Sequence, residues 1–514
     1  MNMKNFLISL FFTFSTCSFG QGSPQSKKIT QKYFPDPDIE FTTPAFLKKK
    51  GFTDYQEMMT YLAKFEKEYP NEFTIEFIGE SQKGKQVPLI RLRNNSRNRK
   101  VRVWIQGGLH GNEPAGTESI FHLIDEVLSR QINLLDQLDI TLVPMANIDG
   151  YEKHDRYAAN GLDLNRDQTK LMAKESIFLK QAFSDFAPHV ALDLHEYRPF
   201  RKDFTGFGKF GITNSYDVMF LYTGNLNVAS ELREFTRSHF VSNAKDKLVA
   251  RGYSTHDYFS TNKVHGEVQF KQGSVNSRSS ATSYALSNCI SSLIEIRGVG
   301  IGKTSFRRRV YSGYLVSLAY LQSAFEKRSA LFDLFSLSSS TTLDSVIIKS
   351  EASKMIQRLQ MIDVQTTELI SIDAITSNAL SSTSVLARKI PKAYILLAEQ
   401  SLILEKLKIL GLEIEIFSSD KTLEVESYTV DAFTKEAFKY EGVFRQNIST
   451  ITKTLNRTFV KGDFIIYMNQ KNAGLAAEVL EPEAANSFIS FGLIDTRTEQ
   501  ELPIYRCHEK KPFH

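Results

Sequence analysis

The stretch VRVWIQGGLHGNEPAGTESIF, residues 101–121, decides the reading of the fold. Val101–Gln106 is an apolar run of strand length, Gly107 and Gly108 break it, and Pro114 suits the first turn of a helix reaching Leu128. The turn between strand and helix carries His110 and Glu113. Two metal-capable side chains therefore sit where a sheet hands its chain to a helix, a usual place for a ligand site in α/β proteins. A lone His-x-x-Glu spacing is common by chance, so its weight depends on what stands at equivalent places downstream.

Outward from this corner, strand and helix patterns alternate. An amphipathic helix pattern runs from Phe46 to Tyr69, followed by strands Phe73–Ile78 and Leu89–Leu92. Beyond the corner come strand Ile140–Met145, a helix over 170–186 and strand Val190–Leu194. This alternation predicts an α/β fold: a mixed, mainly parallel twisted sheet with helices on both faces. Residues 203–334 have longer loops, two helices near 225–251 and 310–334, and the strand Ile290–Ile296 between them.

The serine-threonine patch Ser336–Thr342 marks a boundary. After it, Ala393–Leu397, a helix over 398–410 and Leu412–Phe417 form a βαβ-type unit, and short runs such as Phe464–Met468 and Phe488–Phe491 read as strands. Residues 340–514 are thus expected as a C-terminal accessory region, α/β and β-rich, attached to a catalytic domain over 45–335.

At the other end, MNMKNFLISLFFTFSTCSFGQ has an early lysine, an apolar stretch and small residues before a polar start. It reads as a signal peptide over residues 1–20, which implies a secreted or periplasmic protein; a lipoprotein anchor on Cys17 fits less well, given Phe14 and Thr16. Residues 21–44, with Pro24, Pro35 and Pro37, read as an extended lead-in. No later stretch is long and apolar enough to span a bilayer. Net charge is +5 without a basic block, which argues against a nucleic-acid partner. Cys289 and Cys507 read as two unpaired thiols rather than a metal site.

The chemistry assembles from four segments. His195 closes the apolar part of HVALDLHEY, so its imidazole emerges at the strand's C-terminal end, the same edge as His110 and Glu113. Two histidines and a glutamate are a ligand set typical of catalytic zinc, with a fourth position left for water. Glu295, in SLIEIRG, closes another apolar strand; it is either half of an ion pair with Arg297, two residues on, or a general base. The loop VPMANIDGYEKHDRYAANGLDLNRD supplies Arg156, Asn165 and Arg166, suited to holding a carboxylate or an oxyanion.

In order and separation, His-Gly-Asn-Glu (110–113), Asn-Ile-Asp-Gly-Tyr (147–151), Leu-Asn-Arg (164–166), Asp-Leu-His (193–195) and Glu-Ile-Arg (295–297) resemble the zinc metallocarboxypeptidases of the carboxypeptidase A type. The resemblance covers about residues 45–330. It implies one zinc per chain on His110, Glu113 and His195, with Glu295 as base to a zinc-activated water and then acid to the leaving amine. It implies further that Arg156 polarises the scissile carbonyl and that Asn165 and Arg166 hold a terminal carboxylate. Arg297 matches a family arginine near the base and joins the expected substrate-binding set. The family's mobile tyrosine has three candidates here, Tyr253, Tyr258 and Tyr284. The segment FVKGDFIIYMNQKNAGLAAEVLEPEAANSFISFGLID is similar to the tail of large bacterial exported members.

The expected function is therefore a secreted carboxypeptidase acting on peptides, or peptide-like substrates, with a free C-terminal carboxylate. A zinc amidase or deacylase of the same fold, acting on cell-wall peptides or acylated amino acids, is the enzymatic alternative. A catalytically silent binding module is the other, disfavoured by the complete set of ligands and base. Arg278 could favour an acidic substrate side chain, although a surface arginine is the plainer reading; His122, His154 and the His265–Glu267 pair are read as non-ligands.

Overall fold

The computed structural model describes residues 25–340 and 344–509. The expected signal peptide, residues 1–20, lies outside them. At the centre is an eight-stranded mixed sheet. Its strands run in the order Phe73–Glu80, Gln86–Leu92, Leu138–Val143, Val101–Gly107, Val190–Tyr197, Ile290–Arg297, Val218–Leu221, Thr255–Asp257. The four strands from Leu138–Val143 to Ile290–Arg297 are mutually parallel, and antiparallel pairs flank them.

Helices cover both faces. Pro114–Arg130 and Phe306–Glu326 pack together on one side. On the other, Trp104 meets Phe183 of helix Lys174–Phe186 edge-on at 5.6 Å, and Tyr284 of helix Ser280–Leu286 hydrogen-bonds Gln106. Enclosure on two sides explains why every residue of Val190–Tyr197 is buried and why these strands read as continuous apolar runs.

Register aligns the chemistry. Gly107 pairs with Leu194, and Glu295 lies directly opposite His195, so His110, His195 and Glu295 all reach the C-terminal edge of the parallel strands. The corner after Gly107 is tight. Gly108 has φ +65°, and a Cβ on Gly111 would lie 2.0 Å from the carbonyl carbon of Gly150, an approach only glycine permits.

The lead-in expected to be extended contains a helix instead, Lys27–Tyr33, whose start is capped by the Ser26 hydroxyl accepting from the Ile29 amide. Nor does the C-terminal region stand apart in packing. A long hairpin, Ser345–Asp363 with Leu369–Lys389, forms one five-stranded sheet with Ile212–Asn214, Phe259–Val264 and Glu267–Gln272. A six-stranded sheet carries a second hairpin, Lys421–Lys435 with Gln446–Phe459. One hydrophobic core runs through both regions, from Trp104 and Phe183 to Leu407, Leu475 and Ile504. In the βαβ-type unit, Ala393–Leu396 and Glu415–Ile416 do share a sheet, with Phe464–Tyr467 between them. Residues 488–491, read as a strand, form turns.

Candidate active site

His110, Glu113 and His195 converge: one donor atom from each lies within 4.8 Å of the others, and all three side chains are buried. His110 Nδ1 is 2.8 Å from Glu113 Oε1, His195 Nδ1 is 2.8 Å from Glu113 Oε2, and the two Nδ1 atoms are 3.0 Å apart. Glu113 occupies the cap position of helix Pro114–Arg130 but makes no side-chain cap hydrogen bond, so both oxygens face the imidazoles. Donors of a tetrahedral zinc site, each about 2.0–2.2 Å from the metal, stand roughly 3.3 Å from one another, close to the observed spacing. The set therefore fits a zinc ion.

The outer nitrogen of each ring is held by a carboxylate. Asp163 Oδ1 lies 3.0 Å from His110 Nε2, and Asp193 Oδ2 lies 2.9 Å from His195 Nε2. Such partners keep the proton on Nε2 and leave the Nδ1 lone pair facing inward, as a metal ligand requires. Sequence reading assigned neither aspartate a role. For Asp193 the signal was present, since residues two apart on a strand share a face with His195. Burial alone would raise Glu113; the two imidazoles outweigh it and hold the carboxyl below its usual range. Asp163 behaves alike, with burial opposed by His110 and Arg156.

The cluster opens into a cavity of about 500 Å³ lined by Arg156, Asn165, Arg166, Tyr258 and Glu295, among others. Burial, and next the Glu113 carboxylate, raise the Glu295 carboxyl above its ordinary value. A group that is poised to hold or release a proton near neutrality suits general base work. Arg156 places Nε and Nη2 on Asp163 Oδ2, at 3.0 and 2.8 Å, which leaves Nη1 directed at the metal cluster, 3.6 Å from Glu113 Oε1. Asn165 Oδ1 accepts from the Ser280 amide, freeing its Nδ2 to donate elsewhere, and Arg166 Nη1 donates to the Asn165 carbonyl.

Arg297 is a correction. Its guanidinium does not line this cavity and, among the described residues, forms no ion pair with a carboxylate; it donates to Gln25 Oε1 at 2.7 Å, to Thr213 Oγ1 at 3.2 Å and to the Asn214 carbonyl, and lies 4.1 Å over the Phe34 ring. The N-terminal segment and strand Ile212–Asn214 fill the space it would need to meet a substrate. Of the three tyrosines, Tyr258 lines the cavity. Tyr253 is buried against Arg308, and Tyr284 stacks on Phe183 at 4.0 Å. His122 packs between Phe41 and Tyr314, and His154 and His265 are exposed, away from the cluster. Cys289 and Cys507 are free and buried.

A family profile described as zinc carboxypeptidase matches residues 58–308. Among curated proteins, the chain is similar to carboxypeptidase 2 of Trichophyton rubrum, 29% identical over 440 residues, covering 83% of this chain and 81% of that protein. Carboxypeptidase 2 of Trichophyton equinum is also 29% identical, over 479 residues, covering 91% of this chain and 86% of that protein. Both relatives are fungal, so they lend no support to the expected affiliation with bacterial members. Both matches are too long to be confined to residues 58–308 and extend into the C-terminal region. Of solved structures, carboxypeptidase A of Helicoverpa armigera is 16% identical, with a TM-score of 0.43, covering 55% of this chain and 78% of that one. Residues 58–308 match the zinc carboxypeptidase family model, and with the carboxypeptidase relatives this makes the chain a hydrolase of the metallocarboxypeptidase class.

Proposed function

We propose that this protein is an exported, zinc-dependent carboxypeptidase that removes the C-terminal residue of peptides. The observation that carries the reading is the meeting, in one cavity, of the His110–Glu113–His195 cluster, the Glu295 carboxyl and the donors of Arg156, Asn165 and Arg166. One zinc ion on the three ligands would supply Lewis acidity towards a carbonyl oxygen and make water easier to deprotonate. Glu295 takes the proton of the attacking water and returns it to the leaving amine. Arg156, fixed by Asp163, turns Nη1 to the carbonyl oxygen as negative charge develops there. Asn165 Nδ2 and Arg166 hold the terminal carboxylate, which sets the scissile bond one residue from the chain end. Export rests on the residue 1–20 pattern; among the described residues no helix is long and apolar enough to cross a membrane.

Paired peptides with a free or an amidated C-terminus test this. Release of the last residue from the free form, with the amide cleaved at least a hundredfold more slowly, is expected. Cleavage of cell-wall stem peptides or acylated amino acids, with no trimming of ordinary peptides, would move the activity to the amidase alternative.

A further inference from the structure

The cavity is rimmed by cations. Arg198, Arg201, Lys271 and Arg278 line it, and none makes an ion pair with a carboxylate among the described residues. Its acidic side chains are otherwise engaged: Glu113 belongs to the metal cluster, Glu196 is paired with Arg309, and Glu295 is the base. Arg278 is the most constrained of the four.

Three contacts fix it in place. The Gln168 amide donates to the Arg278 carbonyl at 3.2 Å, and the Ser280 amide donates to Asn165 Oδ1 at 2.9 Å, so the Arg278 loop is tied to the Asn165–Arg166 segment. Its guanidinium lies 5.1 Å from the ring centroid of Tyr440, which sits at the tip of the C-terminal hairpin. That tip is itself fastened to the site: Glu441 Oε2 accepts from the Asp163 amide at 2.8 Å. Arg445 approaches the same Tyr440 ring at 4.6 Å, but its charge is met by Glu436 at 2.6 Å. Arg278 is half-buried with a ring beneath it and no anion beside it. Burial disfavours the cation, and the like charges of Arg166 and Arg445 add to that, while Tyr440 and Asp163 act in the opposite sense. A partly desolvated cation without a counter-charge is costly unless a ligand supplies one.

We propose that Arg278, seated on Tyr440, determines specificity, and that the preferred substrates are peptides ending in glutamate or aspartate. This rests on the carboxypeptidase reading. The main-chain carboxylate goes to Asn165 and Arg166, and the side-chain carboxylate goes to Arg278 in the adjoining loop. The C-terminal region thereby contributes a wall of the substrate cleft through Tyr440 and Glu441, and is more than a support for the catalytic domain.

The test uses two peptides identical but for a C-terminal Glu or Gln, which match in size and differ in charge. Two readouts are taken on the full, zinc-loaded chain: kcat/KM of the wild type and Arg278→Met, and equilibrium binding to the same pair carrying Glu295→Gln. A Glu:Gln ratio of tenfold or more, falling to near one in Arg278→Met and to an intermediate value in Tyr440→Leu, is expected in both. A ratio near one before Arg278 is changed, or a ratio that Arg278→Met leaves intact, overturns the assignment; the second result would place the acidic preference on another residue. Binding that favours Glu and depends on Arg278, without any trimming by the wild type, would sink the carboxypeptidase reading and leave the acidic-ligand site standing.

Discussion

Replacing Asp163 by asparagine keeps the shape of the side chain and removes its charge, and the hydrogen bonds around it dictate the consequence. Asp163 is buried and accepts from four groups: His110 Nε2 and the Asn165 amide on Oδ1, and Arg156 Nε and Nη2 on Oδ2. An amide offers one acceptor oxygen and one donor group in place of two acceptors. If the oxygen serves His110, the amide NH2 confronts the Arg156 donors and Arg156 loses its anchor. If it serves Arg156, the NH2 faces His110 Nε2, which must then give up its proton to Nδ1, the atom that points at the metal position. Either orientation damages a function. Loss of such an outer partner typically weakens metal binding by about 10–100-fold, or roughly 1.4–2.7 kcal/mol. Zinc affinity of Asp163→Asn, measured by competition with a chelator, should fall within that range. kcat/KM at saturating zinc should still drop by about tenfold or more, because Arg156 is unanchored. Asp193→Asn disturbs His195 alone, so it should show the metal defect with the smaller catalytic one. A folded Asp163→Asn protein with wild-type zinc affinity would refute the assignment of Asp163 as the His110 anchor.

Arg297→Met should destabilise the protein by about 2–4 kcal/mol in urea unfolding, because Gln25, Thr213 and the Asn214 carbonyl lose a buried charged partner, while KM for peptides with a free C-terminus stays unchanged. A raised KM without loss of stability would restore Arg297 to the substrate site. Glu118 is fully buried beside the hydroxyls of Thr43 and Thr53, and burial pushes its carboxyl up to about 7 from 4.5. A raised carboxyl pKa means the folded state holds the proton more tightly, so its stabilisation is complete below about 4.5 and is lost as pH rises through about 7. The melting temperature should fall across that window, by an effect on the order of 3 kcal/mol, and Glu118→Gln should flatten the fall; an unchanged pH profile in the variant would contradict the charge burial.

The parts of the site that were legible in sequence are those written locally. A strand, a glycine corner and a helix start position His110 and Glu113, and the ends of apolar strands position His195 and Glu295; parallel register then brings them to one edge. What was not legible depends on distance along the chain. Glu441 meets Asp163 across 278 residues and Tyr440 lies beside Arg278, and no local pattern records either approach. The hairpin Ser345–Lys389 was missed because only the start of Leu369–Lys389 alternates, with Ile370, Ile372 and Ala374 turned inward; from residue 377 onward no position is buried and serine and threonine are frequent, which leaves little apolar pattern to read. Arg297 misled for a simpler reason: the strand period puts it on the face of Glu295, but the period cannot say that Gln25 and Phe34 already occupy the space beyond.

Zinc content and peptide trimming, determined together on the wild type and Glu295→Gln, bear most directly on the central claim. One zinc per chain in both proteins is expected, because Glu295 lines the cavity without belonging to the ligand cluster. Trimming should be fast in the wild type and reduced by about 10²–10⁴-fold in the variant, the usual worth of a general base. Absence of zinc from the wild type after reconstitution, or undiminished trimming by Glu295→Gln, would contradict it.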